Sequence, residues 1–205
     1  MPSSLNLAGV FIDALSDHVS TIRQLADQQD AFERAAILIS DALLRGNKIL
    51  WCGNGGSAAD SQHLAAELVG RFRHPRAPLA SVALTTDASI LTAVANDFGY
   101  DRVFERQVEA LGEPGDVVIG ISTSGNSRNV CCALEKARQL KAATVAMTGK
   151  NGGRLATVAD VCIRVPSTDS ARIQEAHILC GHILCEWVEL ASCIDHAVSI
   201  RQGKR

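Results

Sequence analysis

The sequence lacks the segments that would send a protein into or across a membrane. No uninterrupted apolar run reaches the roughly 18 residues that a membrane-spanning helix needs. The first stretch, MPSSLNLAGVFIDALSDHVS, has no basic region, and Asp13 and Asp17 lie within its apolar periodicity, which argues against a signal peptide. These absences predict a cytoplasmic protein with no membrane partner.

An excess of one charge is also absent. The 205 residues carry a net charge of −2, with 20% charged and 47% hydrophobic residues. This composition argues against disorder, an acidic tail or a surface for polyanions, so we expect no nucleic-acid partner. The length suits one unit with its own core, and we predict a single domain over residues 1–205.

The cysteines include no CxxC pair, and their number is odd. They lie mostly in apolar segments, where reduced thiols act as small core residues. We therefore expect no catalytic cysteine and a reducing compartment. The seven are Cys52, Cys131, Cys132, Cys162, Cys180, Cys185 and Cys193.

The hydrophobic pattern divides the chain into three parts. Apolar residues at helical spacing predict two N-terminal helices over residues 1–47. Short apolar runs alternate with helical segments over residues 48–166, which is typical of a doubly wound α/β fold with a five-stranded parallel sheet. The five predicted strands are KILWC, SVALT, DVVIGIS, ATVAMT and VCIRV.

The third part, residues 167–205, begins with a segment that predicts one long C-terminal helix. From about Ser170 to His196 its only glycine is Gly181, and it contains no proline. Its apolar stripe favours packing against a second copy of the chain.

A glycine-rich turn, Gly53-Asn54-Gly55-Gly56-Ser57, follows the first strand and precedes a helical segment. It matches the dinucleotide pattern G-x-G-x-x-A, but the acidic residue expected about 20 positions later is missing, since Arg73 stands there. We therefore do not interpret this turn as an NAD site. In parallel sheets such turns hold ligands at the carboxyl ends of strands.

A second turn, Ser122-Thr123-Ser124-Gly125-Asn126-Ser127, follows the third strand and also precedes a helix. Hydroxyl groups, backbone N–H groups and a helix N-terminus suit a phosphate dianion. No GK[ST] follows, so a nucleotide P-loop is excluded and the phosphate of a small molecule fits better. An ordinary serine-rich turn with a serine cap is the alternative.

His63 and Glu67 stand four residues apart in the helical segment after the first turn, so they share one face. Such a pair can bind a divalent metal or place a base beside a proton donor, and a solvated helix face is the alternative. His182 lies among apolar neighbours in the C-terminal helix, and we expect it to have a bonding partner. Further polar candidates of that helix are Gln174, Glu175 and His177.

Several stretches together resemble a known family. They are CGNGGSAADSQHLAAELVGRF, ANDFG, ISTSGNS, MTGKNGG and ARIQEAHILCGHIL, in this order, and the resemblance covers about residues 35–188. The chain resembles the sugar isomerase (SIS) domain proteins, and within them the bacterial sedoheptulose-7-phosphate (phosphoheptose) isomerases. The resemblance implies a homotetramer that interconverts sedoheptulose 7-phosphate and D-glycero-D-manno-heptose 7-phosphate for lipopolysaccharide and related surface sugars.

The resemblance also implies roles for individual residues. One Zn²⁺ per subunit is expected on His63, Glu67, Gln174 and His182, of which Glu67 and His182 are the expected catalytic pair. The phosphate is expected on Ser122, Thr123, Ser124 and Ser127. Contacts to the rest of the substrate are expected from Asn54, Gly55, Gly56, Ser57, Glu67, Arg71, Asn96, Asp97 and Gln174.

Aldose–ketose isomerisation through an enediol needs a base at carbon and a proton donor or electrophile at oxygen. We interpret Glu67 as the base and His182 as the proton relay, although a glutamate bound tightly to zinc is a poorer base. In a regular helix Gln174 and His182 are separated by roughly 12 Å and by about 80° in direction. Because zinc ligands lie about 2 Å from the metal, we predict that the site lies between subunits.

Two alternatives remain beside the isomerase. SIS-domain adaptors that bind the bacterial replication initiator share LTTD, NSRN and ARIQE, but they lack a glutamate at the place of Glu67. A sugar-phosphate sensor fused to a DNA-binding domain is disfavoured, because residues 1–47 are acidic and poor in Arg and Lys. The basic stretches RFRHPR and RQGKR are interpreted as a solvated loop and tail.

Overall fold

The chain forms one parallel sheet covered by helices on both faces, as seen in a computed structural model that describes residues 6–201, with side chains described to residue 193. The strands are β1 (Ile49–Gly53), β2 (Ser81–Ala83), β3 (Val117–Ser122), β4 (Ala143–Thr148) and β5 (Val161–Arg164). Their order is β2-β1-β3-β4-β5, and every pairing is parallel. The predicted doubly wound five-stranded α/β fold is confirmed.

Eight α-helices accompany these strands in the described part of the chain. They are α1 (Leu7–Gln24), α2 (Gln29–Leu44), α3 (Gly56–Val69), α4 (Ala88–Phe98), α5 (Glu105–Leu111), α6 (Arg128–Gln139), α7 (Leu155–Val158) and α8 (Ser170–Arg201). Short 3-10 turns, Leu25–Gln28 and Tyr100–Arg102, precede α2 and α5. The two predicted N-terminal helices are confirmed as α1 and α2.

Helix α8 is longer than the predicted span of residues 170–196, since it continues to Arg201. The physical reason is the absence of a helix breaker, because the first glycine after His196 is Gly203. The end of the predicted RQGKR tail lies outside the described residues.

Alternate residues of the buried strands pack into two separate hydrophobic cores, one on each face of the sheet. Along β1, Ile49 and Trp51 pack into a cluster with α2, α3 and α8. Leu50 and Cys52 point the other way and pack with α5 and α6. Strands buried on both faces are therefore apolar throughout, which is the pattern of the sequence.

The position of the ligand crevice follows from the strand order. Helix α3 leaves β1 on one face of the sheet, and α6 leaves the neighbouring β3 on the opposite face. Connections that diverge in this way open a crevice at the carboxyl ends of the two strands. Both of the turns singled out in the sequence lie at that point.

Among residues 6–201, none of the helices combines the length and the apolar character that crossing a bilayer requires. All seven cysteines are free thiols, as expected.

Candidate active site

The turn after β1 is shaped by glycine. Gly55 has φ 55° and ψ −121°, a backbone conformation that residues with a side chain rarely adopt. This conformation lets the chain enter α3 directly. Ser57, in the first turn of α3, is only 3% exposed. A Cβ atom at Gly56 would lie 2.6 Å from Nε2 of Gln174, so the side chain of Gln174 rests against the start of α3.

Asn54 of the same turn is held by two residues that the sequence did not single out. Asn54 Nδ2 donates to Asn129 Oδ1 at 2.9 Å, and Asn129 Nδ2 donates to Asn54 Oδ1 at 2.8 Å. The hydroxyl of Tyr100 donates to Asn54 Oδ1 at 3.0 Å. Asn129 lies in α6, two residues after the serine-rich turn, so this pair joins the turns after β1 and β3.

The serine-rich turn after β3 gathers its hydroxyl groups. Ser122 Oγ lies 2.8 Å from Ser127 Oγ and 3.4 Å from Ser124 Oγ. Gly125 has φ +67°, and a Cβ atom there would overlap the backbone of Gly152. The turn is thus held tightly against the segment after β4, with several hydroxyl groups facing one another.

A cavity of about 280 Å³ opens beside this turn. Its lining is polar except for one isoleucine and includes a lysine. The lining residues are Thr123, Ser124, Asn126, Lys150, Asn151, Ser167, Thr168, Ser170 and Ile173. Lys150 was not expected at the site, although it lies in the quoted stretch MTGKNGG, which was the signal available.

His63, Glu67 and His182 form a cluster within one chain. His63 Nε2 lies 2.9 Å from His182 Nε2 and 3.4 Å from Glu67 Oε1. One potential ligand atom from each residue lies within 4.8 Å of the others. The i, i+4 pairing and the bonding partner expected for His182 are both found.

This donor set fits a divalent metal. Ligands of a tetrahedral zinc ion are about 3.3 Å apart when each is about 2 Å from the metal. This is close to the 2.9 and 3.4 Å that separate His63 Nε2 from His182 Nε2 and Glu67 Oε1. Two imidazole nitrogens that face each other need either one shared proton or one cation. Gln174, the fourth expected ligand, lies in α8 two turns before His182, against Gly56. Whether it joins this set stays a prediction.

Three expected site residues form no hydrogen bond with these groups within the chain. The side chains of Asn96 and Asp97 are exposed near the end of α4 and bond each other, with Asn96 Nδ2 2.8 Å from Asp97 Oδ1. Arg71 is exposed just after α3. Their expected contacts with the substrate therefore stay predictions.

The stretch RFRHPR is only in part the solvated loop that its charges predicted, because Phe72 and Arg76 are partly buried while the other four residues are exposed. Arg76 has a side chain only 5% exposed, in an ion pair with the buried Glu189. Phe72 stacks on the ring of His182, with 5.5 Å between ring centroids and 26° between planes. The interpretation was wrong for these residues because their partners lie in α8, far along the chain.

Burial shifts the pKa values of two titratable groups in the helices that carry the cluster, Asp60 in α3 and His177 in α8. Burial raises the pKa of Asp60, one turn before His63, to about 6, and the nearby His63 opposes this shift. Burial lowers the pKa of His177 to about 4, against a hydrogen bond to the carbonyl of Thr148. Near neutral pH His177 is therefore neutral and Asp60 is partly protonated.

Cys52, at the end of β1 beside the glycine turn, is inert as a nucleophile. Burial, with Cys131 as a neighbour, raises the pKa of its thiol to about 12. A thiol of this kind stays protonated at physiological pH.

Comparison with known proteins agrees with this architecture. The SIS domain family model matches residues 11–149. The phosphoheptose isomerase of Akkermansia muciniphila is 55% identical over 167 residues, which are 82% of this chain and 88% of that protein. That of Aquifex aeolicus is 60% identical over 156 residues, or 76% and 82% of the two chains. The chain belongs to the phosphoheptose isomerases of the SIS domain family.

Solved structures of phosphoheptose isomerases share the fold. The enzyme from Neisseria gonorrhoeae superposes with a TM-score of 0.85 at 43% identity, over 90% of this chain and 99% of that one. As a phosphoheptose isomerase the chain is an enzyme, and the resemblance stated from its motifs is confirmed.

Proposed function

We propose that this phosphoheptose isomerase converts D-sedoheptulose 7-phosphate to D-glycero-D-manno-heptose 7-phosphate, as a step toward the heptose of lipopolysaccharide or another surface polysaccharide. The observation that carries the proposal is the cluster of His63, Glu67 and His182 beside the crevice between β1 and β3. It provides a carboxylate and two imidazoles, and the crevice also carries the hydroxyl groups of Ser122 to Ser127.

The phosphate end of the substrate belongs at the serine-rich turn. The hydroxyl groups of Ser124 and Ser127 lie 3.4 and 2.8 Å from that of Ser122, and Thr123 and Ser124 line the adjoining cavity. Lys150 adds a positive charge to that cavity. Hydroxyl donors, backbone N–H groups at the start of α6 and one cation together suit a phosphate dianion.

The carbonyl end belongs at the His63, Glu67 and His182 cluster. Glu67 removes a proton from C1 of the ketose and returns it at C2. His182 donates a ring proton to O2 and accepts one from O1, so the enediol collapses to the aldose with no net change in protons. We assign this proton to Nδ1, because Nε2 is the nitrogen that faces His63 in the cluster. Asn54, held by Asn129, is proposed to bind sugar hydroxyl groups.

One zinc ion per subunit is proposed for His63, Glu67 and His182, with Gln174 as the fourth ligand. The spacing of the three clustered atoms supports this assignment. Zinc bound there supplies Lewis-acid stabilisation of negative charge on oxygen. Glu67 has two oxygens, and only one of them, Oε1, faces His63 in the cluster. A carboxylate of this kind can hold a metal through one oxygen and accept a proton at the other.

We propose a cytoplasmic homotetramer with its active sites between subunits. Helix α1 exposes apolar side chains along its length, among them Leu7 at 78% and Phe11 at 60% exposed. Trp187 of α8 is 49% exposed. Apolar faces of this size are typical of surfaces that subunits cover. Asn96 and Asp97, which stand apart from the cluster within one chain, are the residues that such packing would bring to a site.

The test is incubation of the purified chain with sedoheptulose 7-phosphate and zinc, followed by NMR of the anomeric protons. We expect signals of the aldose 7-phosphate, and none when Glu67→Gln replaces the wild type. Absence of an aldose signal with zinc supplied would overturn the proposal and favour the non-enzymatic adaptor. The presence of Glu67 in the cluster favours the isomerase.

A further inference from the structure

A single buried carboxylate organises the segment that follows α3. Residues 70–77, called the strap below, run from the end of α3 along α8. Glu189 Oε1 accepts a hydrogen bond from the backbone N–H of Phe72 at 2.9 Å. Its Oε2 accepts from the N–H groups of Arg73 and His74 at 2.7 and 2.9 Å. The side chain of Glu189 is 0% exposed, so these bonds are shielded from water.

The strap also supplies the countercharge of Glu189. Arg76 Nε lies 3.2 Å from Glu189 Oε1, as an ion pair whose N–H is not aligned for a hydrogen bond. Burial alone would raise the pKa of Glu189, but the three N–H donors and Arg76 outweigh it and the pKa is lowered. Glu189 is therefore a carboxylate at neutral pH, bound to the strap at four points.

Arg76 extends this arrangement to the helix that carries Glu67. Its Nη2 donates to the carbonyl of Glu67 at 2.9 Å, and its Nη1 donates to the carbonyl of Leu68 at 2.8 Å. These carbonyls belong to the last turn of α3, where no further helical N–H is available. Arg76 thus caps α3 at the residue proposed as the base.

Phe72 extends the arrangement to the proposed proton relay. Its ring stacks on His182, and the guanidinium of Arg73 lies 5.2 Å from the centre of the Phe72 ring on its way to Glu186. The backbone N–H of Phe72 is one of the groups held by Glu189. The phenyl ring that stacks on His182 thus belongs to a residue whose backbone is bound to that carboxylate.

We propose that Glu189 is a positioning residue, which aligns Glu67 and His182 with each other by holding the strap at Phe72 and Arg76. The inference deepens the proposed function and rests on the roles given there to Glu67 and His182. Glu189 itself touches neither group. Its influence reaches His182 through one aromatic contact and Glu67 through one capping contact.

Glu189→Gln is the decisive variant, because it keeps the shape of the side chain but places an NH₂ group against backbone N–H donors. We expect kcat to fall about 10- to 100-fold with a smaller change in KM, and zinc affinity to fall by a similar factor, as is typical when a group that orients ligands is lost. Zinc affinity is measured by competition with a chromophoric chelator.

A matched control lies at the amino ends of the strands, opposite the end of the sheet that carries the site. Asp116 is also 0% exposed, accepts from the backbone N–H groups of Lys48 and Glu113, and pairs with Lys48 Nζ at 2.8 Å. Asp116→Asn removes a buried carboxylate of the same kind from the start of β3, about 20 Å of strand away from the site. We expect it to lower Tm comparably while leaving kcat and zinc affinity within about twofold of the wild type.

A structural readout separates this inference from the proposed function. In the metal-free protein, the Cε1 proton of His182 should show the ring-current shift of Phe72, which Phe72→Leu removes. Glu189→Gln should reduce that shift, and Asp116→Asn should not. An unchanged ring-current shift in Glu189→Gln would overturn the proposal even if activity fell, and this result does not depend on which substrate the enzyme uses.

Phe72→Leu tests the same proposal if the Glu189→Gln variant does not fold. It removes the contact with His182 but leaves the charges of the strap in place. A fall in kcat with retained Tm supports the proposal, and rescue by Phe72→Tyr, which keeps an aromatic ring, is expected. Wild-type kcat and wild-type zinc affinity in Phe72→Leu would contradict it.

Discussion

His63 Nε2 and His182 Nε2 lie 2.9 Å apart, although 119 positions of sequence separate the two residues. One comes from α3 and the other from α8, and these helices pack against each other on the same face of the sheet. Each imidazole offers the other a lone pair or a proton. Glu67, one turn from His63, completes a group that can move protons or hold a metal.

Glu67→Gln should separate the two roles of that carboxylate. Without a base, kcat should fall at least about 100-fold. If Glu67 acts mainly as the base, the variant keeps its zinc, and if it acts mainly as a ligand, zinc content falls together with kcat. Metal analysis alongside turnover of sedoheptulose 7-phosphate gives the answer. Retained turnover in both Glu67→Gln and His182→Gln would overturn the catalytic assignments.

Ser127→Ala should weaken substrate binding more than catalysis. The variant loses the hydroxyl that lies 2.8 Å from Ser122 Oγ and one donor to the phosphate. A charge-assisted hydrogen bond contributes about 1.5–3 kcal/mol, so KM should rise at least about tenfold with a smaller change in kcat. Inhibition by inorganic phosphate should weaken in parallel. Thr157→Ala in α7 is the control, and equal effects of both variants would argue against a phosphate site here.

Gly56→Ala should damage the site while sparing the fold. The added methyl group would lie 2.6 Å from Gln174 Nε2, which is the movable end of a long side chain. Alanine favours the helix that starts here, so Tm should change little while Gln174 is displaced. We expect KM to rise and zinc affinity to fall. Unchanged kinetics and unchanged zinc affinity would show that the position of Gln174 does not matter.

His177 should make the protein less stable in mild acid. Its pKa is about 4 in the folded protein and near 6.5 when unfolded, so the unfolded state takes up the proton first as pH falls. The free energy of unfolding should therefore decline between about pH 6.5 and 4, by on the order of 3 kcal/mol from this group. His177→Gln keeps a donor for the Thr148 carbonyl but cannot titrate. Urea denaturation at several pH values should give a flatter profile for this variant.

Asp60 should have the opposite effect on stability, raising the free energy of unfolding as pH falls over much of the range in which His177 lowers it. Its pKa is raised in the folded protein to about 6, so the folded state binds the proton first and gains stability as pH falls. Asp60→Asn removes that gain and should steepen the decline that His177 causes. Stability profiles of Asp60→Asn and His177→Gln that run parallel to the wild type would contradict both assignments.

Much of the fold could be predicted because its signals are local. The three central strands, β1, β3 and β4, are buried on both faces and need continuous apolar runs. All five short runs singled out in the sequence form strands of the sheet. The end of α8 was missed because nothing interrupts the helix after His196 until Gly203. The i, i+4 spacing of His63 and Glu67 was sufficient to place them on one face.

From residue type and spacing alone, the site could be predicted only where a motif lay within one stretch of chain. The meeting of His63 and Glu67 with His182 was expected from the family resemblance. The glycine-rich and serine-rich turns could be predicted from their residue types and from their position directly after a strand. Asn129, Tyr100 and Lys150 act on these turns from other segments, and polar residues of this kind are common in any sequence. Phe72 and Arg76 were misjudged for the same reason, since the basic stretch around them predicts solvation unless its partner is known.

The sequence by itself determined the class of fold, the two ligand turns and the chemistry of the clustered residues, because each depends on periodicity or spacing over a few turns. Only the tertiary structure decided that α3 and α8 meet at His63 and His182, and that Glu189 lies beneath residues 70–77. Contacts of this kind depend on how helices pack on the sheet. Because the stabilising free energy comes from two segments that are distant in sequence, neither segment alone has a residue pattern that predicts the contact.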